Sequence, residues 1–288
     1  MKKILLTILS SVLFASCATK KYELANIVLE KKIDSLKIVI LKKNEIPFIK
    51  LTTLDSLKNI ISKKDTFQLT DSTKTEFLET VNFNIRKPNL VIIHHTAQDS
   101  LQETLRTFSL KSTQVSSHYV IAKNGKVIQM LNDYLRAWHA GAGSWGKTTD
   151  VNSTSIGIEL DNNGEESFSE TQISSLLLLL TKLKKDYNIP IQNFIGHSDI
   201  APTRKNDPSV FFPWQKLAEN GFGFWNNGVL DIAPPNFDTT MALRVIGYDV
   251  KNLSDAIKAF KLHYVQKDIT NIMNKNTIDL IYTIYLRQ

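Results

Sequence analysis

Apolar residues in this chain fall into short runs separated by turn-forming residues, a pattern of alternating strands and helices. Leu90-Val91-Ile92-Ile93 is a near-continuous apolar run, as expected of a strand buried on both faces. Residues 117–122 and 127–131 flank Lys123-Asn124-Gly125-Lys126, and the Asn-Gly pair predicts a hairpin. Ile156-Gly157-Ile158-Glu159-Leu160 reads as another strand. Ser169 with Gln172 forms a capping box ahead of a long helix from Glu170 to about Tyr187. The leucine run 176–180 inside it is core, too short for a membrane span. Asn193-Phe194-Ile195-Gly196 is a short strand leading into His197. Residues 85–225 thus read as one α/β domain.

Beyond it, an Asn-Asn-Gly break and the Pro234-Pro235 pair introduce short helical patterns. One runs from Leu253 to Tyr264, with Ala256, Ile257, Phe260 and either Leu262 or His263 toward a core; another runs from Thr270 to Leu286. Residues 226–288 therefore read as a small all-α module, with His263 structural.

The N-terminus has a different pattern. Lys2-Lys3 precedes an apolar run from Ile4 to Ala15, a charged region followed by a segment too short to anchor stably across a bilayer. The sequence Leu13-Phe14-Ala15-Ser16-Cys17 resembles a bacterial lipobox, with Phe14 where Leu is usual. That resemblance implies a signal peptide over 1–16 and a lipid on the thiol of Cys17. Residues 17–84 would then be the lipidated cysteine and a Lys-rich tether, partly an amphipathic helix around Leu24, Ile27, Val28, Ile33 and Leu36. As a flexible coil its ends would lie on the order of 45 Å apart. Two or three lipid chains anchor stably where one binds reversibly. With Ala18 rather than Asp after Cys17, the expected location is the cell envelope, at the outer membrane facing the periplasm.

Composition sharpens this picture. The chain has 288 residues, 42% of them hydrophobic, which is globular rather than disordered. Its single cysteine excludes an internal disulfide, an all-cysteine zinc site and an iron–sulfur cluster held within one chain. The net charge of +7 is unevenly placed: residues 18–86 carry 13 bases against 9 acids, whereas 87–288 carry 20 against 19. The near-neutral remainder argues against a nucleic-acid-binding face, and there is no phosphate-binding or dinucleotide fingerprint.

Five of the six histidines lie between 94 and 197. His94 closes the first strand, His197 follows the last, and Asp207 lies ten residues further on. Two imidazoles and a carboxylate suit a catalytic zinc with an open fourth position. Glu159, at the end of an intervening strand, is a separate carboxylate free to act as a base, and Lys205 could sit near a developing oxyanion. By alternation along the strand, His95 points away from His94 and reads as structural. A single histidine at a strand end is more often a satisfied polar group than a ligand, so spacing alone leaves both readings open.

Four blocks occur in order: Ile93-His94-His95-Thr96-Ala97, Arg136-Ala137-Trp138-His139-Ala140-Gly141, Ser155-Ile156-Gly157-Ile158-Glu159-Leu160, and the stretch from His197-Ser198-Asp199 through Arg204-Lys205-Asn206-Asp207-Pro208. Together they resemble the type 2 N-acetylmuramoyl-L-alanine amidases, the superfamily of AmpD, the phage amidases and the peptidoglycan recognition proteins. With the lipobox and the C-terminal helices, the architecture resembles the lipoprotein amidases of the AmiD type. The C-terminal part of that likeness rests on Gly247-Tyr248-Asp249-Val250 and residues 257–263, and it implies that 226–288 is a helical peptidoglycan-binding-like module that either helps hold glycan or packs against the amidase domain.

The resemblance implies a mixed central sheet flanked by helices. It also implies one Zn2+ held by His94, His197 and Asp207, with Glu159 as general base and Lys205 as transition-state cation. The bond cut would join the lactyl group of N-acetylmuramic acid to L-alanine, in peptidoglycan or muropeptides. The Arg136–Gly141 block would lie near the groove. Trp138 and His139 would then contact substrate, or Trp138 would only pack the domain. Arg136 and Arg204 would meet stem-peptide carboxylates, or form surface ion pairs. His118 would be a groove residue or a hydrogen-bonding support. The family often has Gly after Asp-Pro, where Ser209 stands here, which would reshape the loop and leave the ligand in place. The expected partners are peptidoglycan fragments and, through the lipid, a membrane; the expected state is a monomer. The alternatives are a non-catalytic peptidoglycan-binding lipoprotein, and a zinc peptidase of another kind, although no His-Glu-x-x-His helix is present.

Overall fold

The structure, a computed structural model, describes residues 88–98, 100–226 and 228–288, the strands at 75–77 and 84–85, and Ile27, Val28 and Lys31, which are helical. The apolar run at 4–15, Cys17 and most of the Lys-rich segment lie outside these residues. Residues 65–288 form one compact unit, and residues 1–64 are assigned to another.

The central sheet has the order β1-β5-β4-β7-β3-β8, with β1 Thr75–Phe77, β3 Leu90–His95, β4 Tyr119–Ile121, β5 Val127–Gln129, β7 Ser155–Leu160 and β8 Phe194–Gly196. The β4–β5 pair is antiparallel and every other pairing is parallel, so the sheet is mixed. A second ribbon pairs β2 (Asn84–Ile85) with β6 (Leu135–Arg136). Strand β1 falls in the stretch that reads as tether, and β2 straddles its boundary at residues 84 and 85. They are two and three residues long, too short to show a hydrophobic period. The hairpin, β7 and β8 occur where the apolar pattern places them.

Two of the helices, α2 (Val151–Thr154) and α5 (Trp214–Glu219), are short. Alternation along the strands sorts the core into two faces. Val91, Ile93, Tyr119, Ile121, Ile156, Ile158 and Leu160 pack against α3 (Glu170–Tyr187) through Ile173, Leu176, Leu179, Leu180 and Leu183. Ser169 caps α3 by accepting from the Gln172 N–H, as expected. The return half of the box is missing. The Gln172 side chain turns inward instead and donates to the carbonyls of Ile121 and Asp161, because those strand-end acceptors are buried and need a donor.

On the opposite face, α1 (Leu101–Ser109) covers Val120, Ile128 and Met130 with Phe108. Leu90, Ile92 and Ile195 meet α6 (Thr239–Ile246), α7 (Leu253–Tyr264) and α8 (Lys275–Tyr285) through Leu243, Ile246, Phe260, Ile281 and Ile284. Three helices of 8, 12 and 11 residues are too short to enclose a core of their own, and they complete this one. Helix α8 starts at Lys275, later than the pattern suggests, because Asn274 caps it. No helix among the described residues is long and apolar enough to cross a membrane.

Candidate active site

The face between α1 and the C-terminal helices carries the polar positions of the central strands. In β7, Ile156, Ile158 and Leu160 go to the α3 core, so Ser155, Gly157 and Glu159 point the other way. In β3 the same alternation sends His94 to that face and His95 to the opposite one. Parallel register sets His94 opposite Glu159.

Two short segments complete the site. Strand β8 ends at Gly196 and turns into α4 (His197–Ile200), which presents His197. The following loop returns Asp207, and its carbonyl accepts from the Ser198 N–H at 2.8 Å. His94, His197 and Asp207 thereby converge. His94 Nδ1 and His197 Nδ1 are 3.0 Å apart, and each lies 3.1 Å from Asp207 Oδ2.

The hydrogen bonds behind the histidines assign their tautomers. Ser155 Oγ donates to the Val151 carbonyl at 2.7 Å, so it accepts from His139 Nε2–H at 3.2 Å. His139 Nδ1 then accepts from His94 Nε2–H at 3.1 Å. His94 Nδ1 is left as a bare lone pair. His197 Nε2–H donates to the Ala140 carbonyl at 3.3 Å, which bares its Nδ1 as well. Two lone pairs and a carboxylate oxygen face one another with no proton among them. That is a repulsive arrangement unless a cation sits between them. Tetrahedral ligands at about 2.0–2.1 Å are spaced about 3.3 Å apart, close to the separations here. The buried cluster can therefore hold a metal ion.

Burial and the neighbouring His197 lower the His94 pKa to about 4, so its lone pair is free at neutral pH. Burial acts to raise Asp207, but hydrogen bonds and charge from the two imidazoles outweigh it and hold the carboxyl below its ordinary range; without a metal this needs a proton on a facing nitrogen, the place a metal cation would take. Burial, then the Asp207 charge, push Glu159 up to about 8, with Lys205 opposing. Glu159 Oε1 lies 3.9 Å from His94 Nδ1, beside the cluster and outside its triangle. Lys205 is exposed at the rim.

The residues expected to line the groove divide. His139 is buried, and Asn152 Oδ1 accepts from its backbone N–H and from that of Ala140. It supports His94 and does not face a groove. Gly157 makes room for its ring, since a Cβ there would lie 2.5 Å from His139 Cγ. His118 is fully buried; its Nδ1 accepts from Gly157 N–H and its Nε2–H donates to the Leu135 carbonyl. It too is a support, because both nitrogens are spent on backbone. Arg136 pairs with Asp150 at 2.8 Å and donates to Ser153 Oγ. Arg204 donates to the Ala142 carbonyl at 2.8 Å and bridges the loop, while remaining exposed. Trp138 is half-buried, and its backbone N–H donates to Ser116 Oγ.

Three supports complete the site: His95, structural as its strand position implies, and Asn152 and Asp199, which sequence reasoning missed. His95 Nδ1 accepts from the Ser209 N–H at 3.2 Å and steadies the loop that carries Asp207. The Ser209 hydroxyl is buried with no hydrogen-bond partner among the described residues, and Asp207 keeps its place in the cluster. Asn152 fixes the 139–140 turn. Asp199 accepts from the Gly196 N–H, and its side-chain partners lie beyond residue 240.

Comparison with known proteins decides the family. Residues 84–210 match the family model described as N-acetylmuramoyl-L-alanine amidase. Over 207 residues the chain is 37% identical to N-acetylmuramoyl-L-alanine amidase AmiD of Escherichia coli K12, covering 61% of this chain and 74% of that one. The chain belongs to the N-acetylmuramoyl-L-alanine amidase family. It is an amidase, a hydrolase of peptidoglycan turnover. The AmpD amidase of Haemophilus influenzae is 38% identical over 104 residues, covering 36% of this amidase and 56% of its own length.

Solved structures agree. The E. coli AmiD complex with the substrate anhydro-N-acetylmuramic acid-L-Ala-D-gamma-Glu-L-Lys superposes with a TM-score of 0.62 at 31% identity, covering 69% of this chain and 89% of that one. AmpDh3 from Pseudomonas aeruginosa shares the fold, with a TM-score of 0.63 at 23% identity over 78% of this amidase and 97% of its own chain.

Proposed function

We propose that this amidase is zinc-dependent and cleaves the amide between the lactyl group of N-acetylmuramic acid and L-alanine in peptidoglycan or muropeptides. One observation carries the metal reading: His94 Nδ1 and His197 Nδ1 lie 3.0 Å apart and each 3.1 Å from Asp207 Oδ2, while the other nitrogen of each ring is engaged behind the cluster. Two neutral imidazoles and one carboxylate form the donor set of a catalytic zinc. The AmiD structure, with its bound anhydromuramyl peptide, supports the same class of substrate here.

When bound, zinc supplies Lewis acidity and makes water nucleophilic at neutral pH. His94, His197 and Asp207 hold it. Glu159 takes the proton of the attacking water and later delivers it to the departing L-alanine nitrogen, an exchange worth about 10²–10⁴-fold. Its raised pKa suits that traffic, and a cation in the cluster acts like Lys205 in favouring the ionised base. Lys205 stabilises the negative charge that develops on the lactyl carbonyl oxygen. Arg204, exposed beside the 140–142 loop, and Trp138 contact the stem peptide and the sugar.

The protein is further proposed to be a monomer, processed before Cys17 and lipid-anchored there. It would be held at the outer membrane facing the periplasm by the Lys-rich tether.

The test is mass spectrometry of muropeptides digested by the purified protein, with EDTA and after zinc is restored. Free stem peptides should appear only with metal. Intact lactyl–alanine bonds after incubation with metal-loaded protein would refute the reading, and product formation in excess EDTA would refute its zinc dependence.

A further inference from the structure

We propose that the C-terminal helices set the metal affinity of the site, through Tyr248, His263 and Gln266 acting as positioning residues. The proposal rests on the zinc reading above. It starts from α4, the segment that presents His197. Four residues make a single turn, which has no stability of its own. Its orientation must come from contacts to the rest of the fold.

Those contacts converge on Asp199, two residues after His197 and fully buried. Asp199 Oδ2 accepts from the Gly196 N–H at 2.7 Å, which closes the start of its own turn. A buried carboxylate is tolerated only when its remaining lone pairs are also satisfied. Both further donors come from the C-terminal part. Tyr248 Oη donates to Asp199 Oδ1 at 2.6 Å, and His263 Nδ1 donates to Oδ2 at 2.7 Å. The His263 ring is clamped flat between Trp214, at a centroid distance of 3.8 Å, and Tyr264, at 4.1 Å. Its donor direction is therefore fixed.

The second ligand segment is held from the same side. Just past α7, Gln266 Nε2 donates to the carbonyls of Val210 and Phe212, at 3.0 and 2.5 Å, in the loop that follows Asp207. The loop carrying Ala140, the acceptor for His197 Nε2–H, is held there too. Trp145 packs edge-on against Tyr248 and fits over Gly247, where a Cβ would lie 2.3 Å from the indole. A C-terminal part that contributes no ligand thus grips, from α7 and the loops beside it, the segments that carry two of the three.

A purely structural role would lower stability and leave zinc affinity untouched. The two are separated by measuring zinc affinity, by competition with a chromophoric chelator, and folding, by circular dichroism, on the same samples of the full chain. Tyr248→Phe removes one hydroxyl and keeps the ring. His263→Phe keeps the stack and removes the donor. Each should weaken zinc binding by about 10–100-fold, the range for partners behind metal ligands. His263→Asn restores a donor near the position of Nδ1 and should recover most of the loss. Leu280→Ala, which removes apolar packing from α8 and no hydrogen bond of this network, should lower the melting temperature without that change in affinity. Should His263→Phe fail to fold, Tyr248→Phe and Gln266→Met decide the matter. Zinc binding within twofold of wild type in the folded variants overturns the inference, as does an equal loss in Leu280→Ala. A wild-type chain that takes up no zinc overturns the zinc reading, and this inference with it.

Discussion

Adding one methyl group at Gly157 should weaken the metal site without touching a ligand. In Gly157→Ala the new carbon would lie 2.5 Å from His139 Cγ and 2.7 Å from Nδ1 and Cδ2. Comfortable contact begins at about 3.5 Å, so one partner must retreat by about 1 Å. The strand cannot. Gly157 N–H donates to His118 Nδ1 at 3.0 Å, and its carbonyl accepts from Ser117 Oγ at 2.8 Å and from the His118 N–H at 3.1 Å. The His139 ring must move, which stretches its bonds to His94 (3.1 Å) and Ser155 (3.2 Å) beyond useful length. His94 Nε2–H then loses its acceptor, and nothing holds Nδ1 as the bare nitrogen facing the cluster. Losing such a partner costs about 10–100-fold in metal affinity, or about 1.4–2.7 kcal/mol. Overpacking adds about 1–3 kcal/mol of lost stability. The assay follows stem-peptide release from muropeptides against free zinc held by a metal buffer. The variant should need about 10–100-fold more zinc for its half-maximal rate. An unchanged zinc dependence in a folded Gly157→Ala protein would refute the role assigned to His139.

Glu159→Gln should lower turnover by about 10²–10⁴-fold while zinc content stays at one per chain; retained turnover would remove Glu159 from the mechanism. The same variant tests the raised pKa. In metal-free protein, folded Glu159 keeps its proton up to about 8, whereas the unfolded side chain loses it near 4.5. The folded state therefore binds the extra proton across that window, so stability falls as pH rises through it. The melting temperature of wild type in chelator, taken relative to Glu159→Gln, should decline from pH 4.5 to about 8, and a constant difference would contradict the shift. Lys205→Ala should cut kcat by about 10²–10³-fold with KM and zinc content little changed; an undiminished kcat would mean that Lys205 does not meet the developing charge. Cys17→Ser should abolish metabolic lipid labelling and release the protein from the membrane fraction, and a variant that stays labelled would place the lipid elsewhere.

Much of this site was legible because its parts obey local periods. His94, Glu159 and His197 sit at or just past strand ends, where a run of alternating or continuous apolar residues stops and one polar side chain takes its place, and Asp207 follows on the loop after His197. Helix α3 could be read to its last residue because Ser169 and an 18-residue amphipathic pattern bracket it. What could not be read was non-local. Gln172 was assigned to its own helix cap by spacing, yet its amide bonds the carbonyls of Ile121 and Asp161, which sequence distance hides. His118 and His139 look like groove residues when each is taken singly. Only the fold shows that backbone and a neighbouring imidazole use up their nitrogens. One signal for His139 was present and unused: Ser155 and Gly157, two small residues on the site face of β7, leave a slot the size of a ring.

That slot explains why the buried histidine matters as much as an exposed one. A chain of hydrogen bonds runs from the Val151 carbonyl through Ser155 and His139 to His94, and each link has a direction. The carbonyl can only accept, so Ser155 must donate to it and accept from His139. His139 must in turn accept from His94, and the last nitrogen in the line carries no proton. At His197 the Ala140 carbonyl does the same in a single step. Both relays end on backbone oxygens, which have no second protonation state near neutral pH and cannot reverse. The charge preference of the cluster is therefore set by backbone held in place by Asn152, β7 and the C-terminal helices. A substitution that frees one of those carbonyls should loosen the metal site even with every ligand intact.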